Sequence, residues 1–228
     1  MREIIFDTET TGFEPFPKDK GTLADRIVEI GAIEIVNLKP TGKVFHKYIN
    51  PERPIPAEVV KIHGIDDDRV KDCPTFKEIV DEWLEFIGED AKLVAHNASF
   101  DMKFVNAELL WSGHRALDNS RVIDTLPMAR SMFPGQRATL DALCNRFSVD
   151  NSGREYHGAL LDSELLLDVY IELCGGKQRG FELSKSEDTS AVNFSENTRE
   201  KRVFTPTQEE LETHAKFLEK IKDPIWNK

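Results

Sequence analysis

Asp7-Thr8-Glu9 follows directly on the apolar run Ile4-Ile5-Phe6. If that run is a strand, residues i and i+2 point to one face and the two carboxylates converge. Paired carboxylates repel each other unless cations compensate, and hard oxygen ligands of this kind suit Mg²⁺ or Mn²⁺. Asp-x-Glu by itself is a common solvated pair in an acidic chain. Here Thr10-Thr11-Gly12 extends it to Asp-Thr-Glu-Thr-Thr-Gly, which puts hydroxyls and a turn glycine where a substrate needs donors and close approach of the backbone. Asp101 ends the segment His96-Asn97-Ala98-Ser99-Phe100-Asp101 and opens a helix, where a carboxylate is also favoured by the helix dipole alone. Asp162 falls inside an otherwise apolar helix and shares a face with Leu165, Leu166 and Val169. An acid on a core face needs a partner, either a metal or a buried hydrogen bond. His157, five residues earlier in a loop containing Gly and Tyr, is either a plain surface histidine or an imidazole that the loop lowers over a metal site. Helix capping accounts for Asp124 and Asp141, and Asp66-Asp67-Asp68 reads as a solvated turn with no ligand role.

The elements that must position these residues are legible from periodicity. Residues 3–6 and 26–36 read as strands joined by a loop rich in Gly, Pro and Lys, and Val44 to Ile49 as a third strand ended by Asn50-Pro51. Thr75 to Ile87 repeats apolar residues at helical spacing, with Thr75 as N-cap and Gly88 as stop. Short strands are expected at 93–95 and 122–123, and helices at 100–111, 140–147 and 159–173, the last ending at Gly175-Gly176. Strands first, then strands alternating with helices, indicate an α/β or α+β domain with a mixed sheet. From Gly175 to about Lys201 the composition turns to Ser, Thr, Asn, Glu and Lys, as in a flexible linker. Pattern returns from Val203 to Trp226, where Thr207 caps a helical run containing Leu211, His214, Phe217, Leu218 and Ile221.

The 228 residues carry 30 basic and 41 acidic side chains, net −11, which argues against a protein that grips nucleic acid through a broad basic face. The imbalance is confined to residues 1–174, with 20 basic against 31 acidic, while residues 175–228 hold 10 of each. An acidic domain that acts on a polyanion needs bound cations, which again singles out the clustered carboxylates. Cys73, Cys144 and Cys174 lie far apart without CxxC spacing, so neither a disulfide framework nor a zinc site is expected. No stretch of about 18 apolar residues occurs. The expectation is a cytoplasmic chain that neither spans a membrane nor is exported.

The three motifs together resemble those of the DEDDh exonucleases: Asp7 and Glu9 in the first, Asp101 in the second, His157 with Asp162 in the third, all five in order. Ile27 to Ala32 and His63-Gly64-Ile65 look like the same family, and the resemblance covers residues 1 to about 174. It implies a ribonuclease-H-like α/β fold with a central mixed five-stranded sheet flanked by helices. It also implies that Asp7, Glu9, Asp101 and Asp162 hold two Mg²⁺ or Mn²⁺ ions roughly 4 Å apart at the scissile phosphate. His157 would be the general base toward water, with release of nucleoside 5′-monophosphates from a 3′ end, and an ordinary imidazole pKa of about 6.5 suits that task. Thr10, Glu58 and His63 resemble positions that contact the terminal nucleotide.

A catalytic domain (1–174), a polar linker (175–201) and a short amphipathic end (202–228) resemble the proofreading subunits of bacterial replicative polymerases. That layout implies trimming of single-stranded or mispaired DNA and a tail that binds the polymerase's catalytic subunit. It further implies a small theta-like accessory subunit and a place in the replisome at the nucleoid. Gln178-Arg179-Gly180-Phe181-Glu182-Leu183 is similar to the Gln-x-x-Leu-x-Phe peptides that dock on a sliding clamp, with Phe181 and Leu183 exchanged; a plain tether is the alternative. The catalytic motifs do not by themselves separate DNA proofreaders from free-standing RNA or oligonucleotide trimmers. A non-catalytic scaffold between polymerase and clamp is the third reading, against which retention of all five residues argues.

Overall fold

The computed structural model describes residues 1–19, 21–153, 156–176 and 205–220. The chain divides into two units, Met1–Glu182 and Leu183–Lys228. The first is built on five strands, β1 (Arg2–Thr10), β2 (Ile27–Val36), β3 (Lys39–Tyr48), β4 (Lys92–Ala95) and β5 (Val122–Asp124), paired in the order β3-β2-β1-β4-β5. β1, β2 and β3 form an antiparallel meander, whereas β4 pairs parallel to β1 and β5 parallel to β4. Parallel neighbours need crossover connections. Helices α1 (Ala57–His63), α2 (Asp67–Val70) and α3 (Phe76–Ile87) precede β4, and α4 (Ser99–Trp111) precedes β5. Then follow α5 (Thr125–Met132), α6 (Leu140–Phe147) and α7 (Ala159–Leu173). This is the mixed five-stranded sheet flanked by helices expected from the family resemblance.

Both faces of the sheet are covered. Ile4 and Phe6 of β1 pack with Trp83 of α3 and Phe104 of α4, while Ile5 packs on the other side with Leu166 and Tyr170 of α7. A third cluster joins Ala129 of α5, Leu143 and Cys144 of α6, and Leu165 and Val169 of α7. The two-residue period of β1 therefore carries Ile5, Asp7 and Glu9 along the α7 face, and Phe6 and Thr8 along the face of α3 and α4. Gly31 lets β2 lie against the start of α7: a Cβ there would collide with the backbone of Ala159 and Leu160. Ser163 Oγ, 3.0 Å from the Gly31 carbonyl oxygen and 2.8 Å from that of Ala159, fastens the contact.

Two strands run longer than their apolar residues suggest. β1 continues through Asp7 to Thr10 because its backbone ladder to β2 extends there, with Asp7 opposite Gly31 and Glu9 opposite Glu29. Backbone pairing, unlike burial, is blind to side-chain polarity. β3 begins at Lys39, not Val44, because Asn37 and Leu38 turn the chain in two residues, both at positive φ (52° and 61°). Pro40 and Gly42 are tolerated in β3 since it lies at the edge of the sheet. The capping box at the start of α3 forms between Thr75 and Glu78. The Asp66 run is a helix start rather than a free turn: the Asp66 side chain caps α2, and Asp67 Oδ1 accepts from the Ile55 N–H at 3.0 Å.

In the second unit, α8 (Gln208–Leu218) starts at a capping box between Thr207 and Glu210, and its Leu211 and Phe217 are exposed. Ile221 and the proposed clamp residues Gln178, Phe181 and Leu183 lie outside the described residues, as does most of the expected linker. Among the described residues no helix is long and apolar enough to cross a membrane.

Candidate active site

β1 and α7 bring the first and third motifs together. Glu9 on β1 and Asp162 in the first turn of α7 are both buried, and His157 stands half-exposed in the loop before α7. Each of the three offers one ligand atom, and these atoms lie within 4.8 Å of one another. His157 Nδ1 is 3.3 Å from Asp162 Oδ2. Asp7 joins His157 and Asp162 in lining an open cleft of about 770 Å³. Two buried carboxylates and an imidazole at this spacing fit a hard divalent cation, which would offset their mutual repulsion.

Asp101 approaches the same stretch of β1 from the opposite face. It lies buried in the first turn of α4, and its Oδ1 accepts from the Thr8 N–H at 3.0 Å and the Thr8 hydroxyl at 2.7 Å. Thr8 is the residue between Asp7 and Glu9, so Asp101 is tied to the segment that carries both. Burial pushes the Asp101 carboxyl up to about 7, against the pull of the two Thr8 donors. Asp124 caps α5 through the Leu126 N–H and also accepts from the Asn97 N–H, which holds the turn before α4. His96 in that turn packs its Nδ1 2.9 Å from Thr125 Oγ1, and burial lowers its pKa, which keeps it neutral.

The three expected substrate contacts fare differently. His63, at the end of α1, is buried and its Nδ1 accepts from the Ile65 N–H at 3.0 Å, which places the ring proton on Nε2. Burial lowers its pKa, against the pull of the Thr10 backbone, which the buried Nε2 faces in poor hydrogen-bond geometry. A weakly engaged N–H donor is thus held beside β1. α1 is also fastened to the His157 loop: the His157 N–H donates to the Ile62 carbonyl at 3.1 Å, and Tyr156 packs over Gly64, which closes α1 at a φ of 70°. Thr10 is buried and its hydroxyl donates to the Gly12 carbonyl at 2.6 Å, so it shapes the turn after β1. Glu58 is exposed in the first turn of α1.

Glu29 was not singled out by sequence reasoning, although a lone acid in the apolar strand Ile27-Val28-Glu29-Ile30 was a signal. Its buried carboxylate accepts from the Ala159 N–H at 3.1 Å through Oε2 and meets His46 Nε2 at 2.7 Å through Oε1. A carboxylate at the N-terminus of α7 satisfies one of its open N–H groups and favours its dipole. Asp162 sits one turn further on. Glu29→Ala is expected to lower stability by about 1–3 kcal/mol, the cost of leaving the buried Ala159 N–H unsatisfied. Glu29→Gln, which keeps an acceptor, is expected to lose less; thermal denaturation of the three proteins checks this.

Comparison with known proteins agrees with this geometry. Residues 4–170 match the family model for exonucleases (RNase_T). The chain is 52% identical to the DNA polymerase III subunit epsilon of Rickettsia felis over 97% of both chains. It is 41% identical to that of Haemophilus influenzae, covering 95% of this chain and 89% of the other. Among solved structures, exonuclease X in complex with 5′-overhanging duplex DNA superposes with a TM-score of 0.59 at 25% identity, over 75% of this chain and 90% of that one. The nuclease domain of 3′hExo, a DEDDh family member bound to rAMP, gives a TM-score of 0.63 over 76% of this chain and 92% of that one, and at 16% identity shows the shared fold. With its mixed sheet, its converging acidic motifs and relatives of near-equal length, the chain belongs to the DEDDh exonucleases, in the branch of the DNA polymerase III epsilon subunits.

Proposed function

We propose that this chain is the proofreading 3′→5′ exonuclease of a replicative DNA polymerase and removes 3′-terminal nucleotides from single-stranded or mispaired DNA as nucleoside 5′-monophosphates. The observation that carries the reading is the meeting of Glu9, His157 and Asp162, from opposite ends of the domain, within 4.8 Å beside the Asp7 cleft. Asp7, Glu9, Asp101 and Asp162 would hold two Mg²⁺ or Mn²⁺ ions. When bound, such ions supply positive charge against the scissile phosphate and the Lewis acidity that eases proton loss from water. His157 acts as general base toward the attacking water, and Asp162 Oδ2, 3.3 Å from Nδ1, stabilises the imidazolium that results. Asp101 holds Thr8, and through it the strand segment bearing Asp7 and Glu9, in register with α4.

The Nε2–H of His63, buried beside the Thr10 backbone, would turn outward to donate to an oxygen of the terminal nucleotide. His63→Ala is therefore expected to raise KM for a single-stranded oligonucleotide roughly tenfold, the value of one such bond, with a much smaller change in kcat. Equal loss in kcat would instead place His63 in the chemical step.

The segment 202–228 would bind the polymerase's catalytic subunit, and Gln178, Phe181 and Leu183 the sliding clamp, with a small theta-like subunit completing the assembly in the cytoplasmic replisome. Tethering raises the local concentration of primer ends and compensates for the weak DNA affinity of a domain with net charge −11. The deciding experiment is mononucleotide release from a 3′-mispaired DNA primer in Mg²⁺, beside an Asp7→Ala/Glu9→Ala control. Metal-dependent release that the control loses supports the reading. Release from RNA but not DNA would make the chain an RNA trimmer, and silence on both would leave a scaffold.

A further inference from the structure

The cleft that begins at Asp7, His157 and Asp162 does not end there. It runs toward α5 and the loop before α6, where Arg130 and Arg137 form part of its wall. Both arginines are exposed, and among the described residues neither forms an ion pair with a carboxylate. In a chain with 41 acidic residues against 30 basic ones, two exposed guanidinium groups without a carboxylate partner among the described residues stand out on the wall of the acidic cleft, where Asp141 is their acidic neighbour, as the local attraction for a polyanion. The charge of Arg130 reaches the cleft interior, where it helps to depress the pKa of His96 on the same wall. The side-chain amide of Asn97 and the hydroxyl of Thr139 add hydrogen-bonding groups along it. α1, which carries His63, contributes nothing to this wall. The α1 side and the arginine side thus offer separate places to the two pieces of strand that flank a scissile phosphate.

We propose that Arg130 and Arg137 bind the backbone phosphates on the 5′ side of the scissile bond, so that the strand enters along α5 and the α6 loop while its terminal nucleotide lies toward α1. The proposal rests on the exonuclease reading above. Guanidinium groups suit this task because their planar fork pairs with phosphate oxygens and stays charged at any working pH. Arg130 also lies in the last turn of α5, where a cation favours the helix dipole, so a purely structural role is the competing outcome.

The test uses the full chain and its R130Q/R137Q and R130K/R137K variants with two substrates. One is a single-stranded oligo(dT); the other is the p-nitrophenyl ester of thymidine 5′-monophosphate, which carries nothing nucleotide-like beyond the scissile phosphate. R130Q/R137Q is expected to raise KM on the oligonucleotide roughly tenfold, as for two exposed charge pairs. It is also expected to reduce the log–log salt slope of binding by about 1.4, at about 0.7 per phosphate contact on a single strand. Hydrolysis of the ester should stay unchanged, which reports an intact fold and reaction centre, and R130K/R137K should recover part of the loss. Unchanged KM and salt slope would overturn the proposal and leave the arginines as surface and helix-end charges. Equal losses on both substrates would overturn it too, by placing them in the reaction centre or the fold. If the unsubstituted chain hydrolyses neither substrate, it is the exonuclease reading that fails.

Discussion

His157→Ala is expected to lower kcat on a 3′-mispaired primer by roughly 10²- to 10⁴-fold, the range for removal of a positioned general base. The fold should survive, because the side chain is half-exposed and the loop is held by the backbone bond from the His157 N–H to Ile62 and by Tyr156 packed over Gly64. Affinity for Mn²⁺ separates the two roles that the geometry allows this imidazole. One of its ring nitrogens lies close enough to Glu9 and Asp162 to serve as a ligand, yet a base needs only to reach the water. Unchanged Mn²⁺ affinity, together with partial rescue by added imidazole, is the expected result. Loss of metal affinity in step with rate would make His157 a ligand instead.

Asp101→Asn is expected to separate stability from activity in opposite directions. The carboxyl is raised from 3.8 to about 7 by burial. Between those values the folded chain holds a proton that the unfolded chain releases, so stability of the metal-free protein falls as pH rises through the window and is lowest above it. Asparagine stays neutral and can still accept the Thr8 N–H and hydroxyl bonds. Without metal at pH 8, the variant should therefore be more stable than its parent by about 1–2 kcal/mol, or roughly 2–8 °C in Tm. At pH 4 the two should melt together. Turnover should drop roughly 10²-fold or more, and added Mg²⁺ should stabilise the parent but hardly the variant. Thermal melts at both pH values, with and without Mg²⁺, check each part; a variant less stable at pH 8 would show that Asp101 is ionised in the metal-free fold. Such a residue illustrates how burying a carboxylate costs stability when no cation compensates it.

Much of the framework is local and was legible in the chain. Thr75, Gly88 and Thr207 are local capping signals, and each bounds a helix where expected, with Glu78 and Glu210 completing the two capping boxes. α7 was recognisable from its apolar run, and Asp162 from its conflict with that run. The strand limits were less legible. Asp7 to Thr10, Lys39 and Pro40 belong to strands because their backbones find partners on β2, and no property of their own side chains announces it. α5 was implied only by its cap at Asp124, since Pro127 interrupts the helical pattern near its start.

The sequence by itself determined the identity and order of the acidic motifs, the alternation that sets Asp7 and Glu9 on one face, and the excess of negative charge that calls for cations. These follow from residue type and from spacing along one element. Tertiary structure alone decided that Glu9 meets Asp162 and His157 whereas Asp101 grips Thr8, because the pleat sends neighbouring residues of β1 to opposite helices. It alone decided that Glu29 caps α7, that His63 holds its Nε2 donor beside Thr10, and that Arg130 and Arg137 share a cleft with Asp7. Each of those contacts joins residues far apart in the chain, and pairing at such distance depends on sheet order and helix packing, which no local pattern encodes.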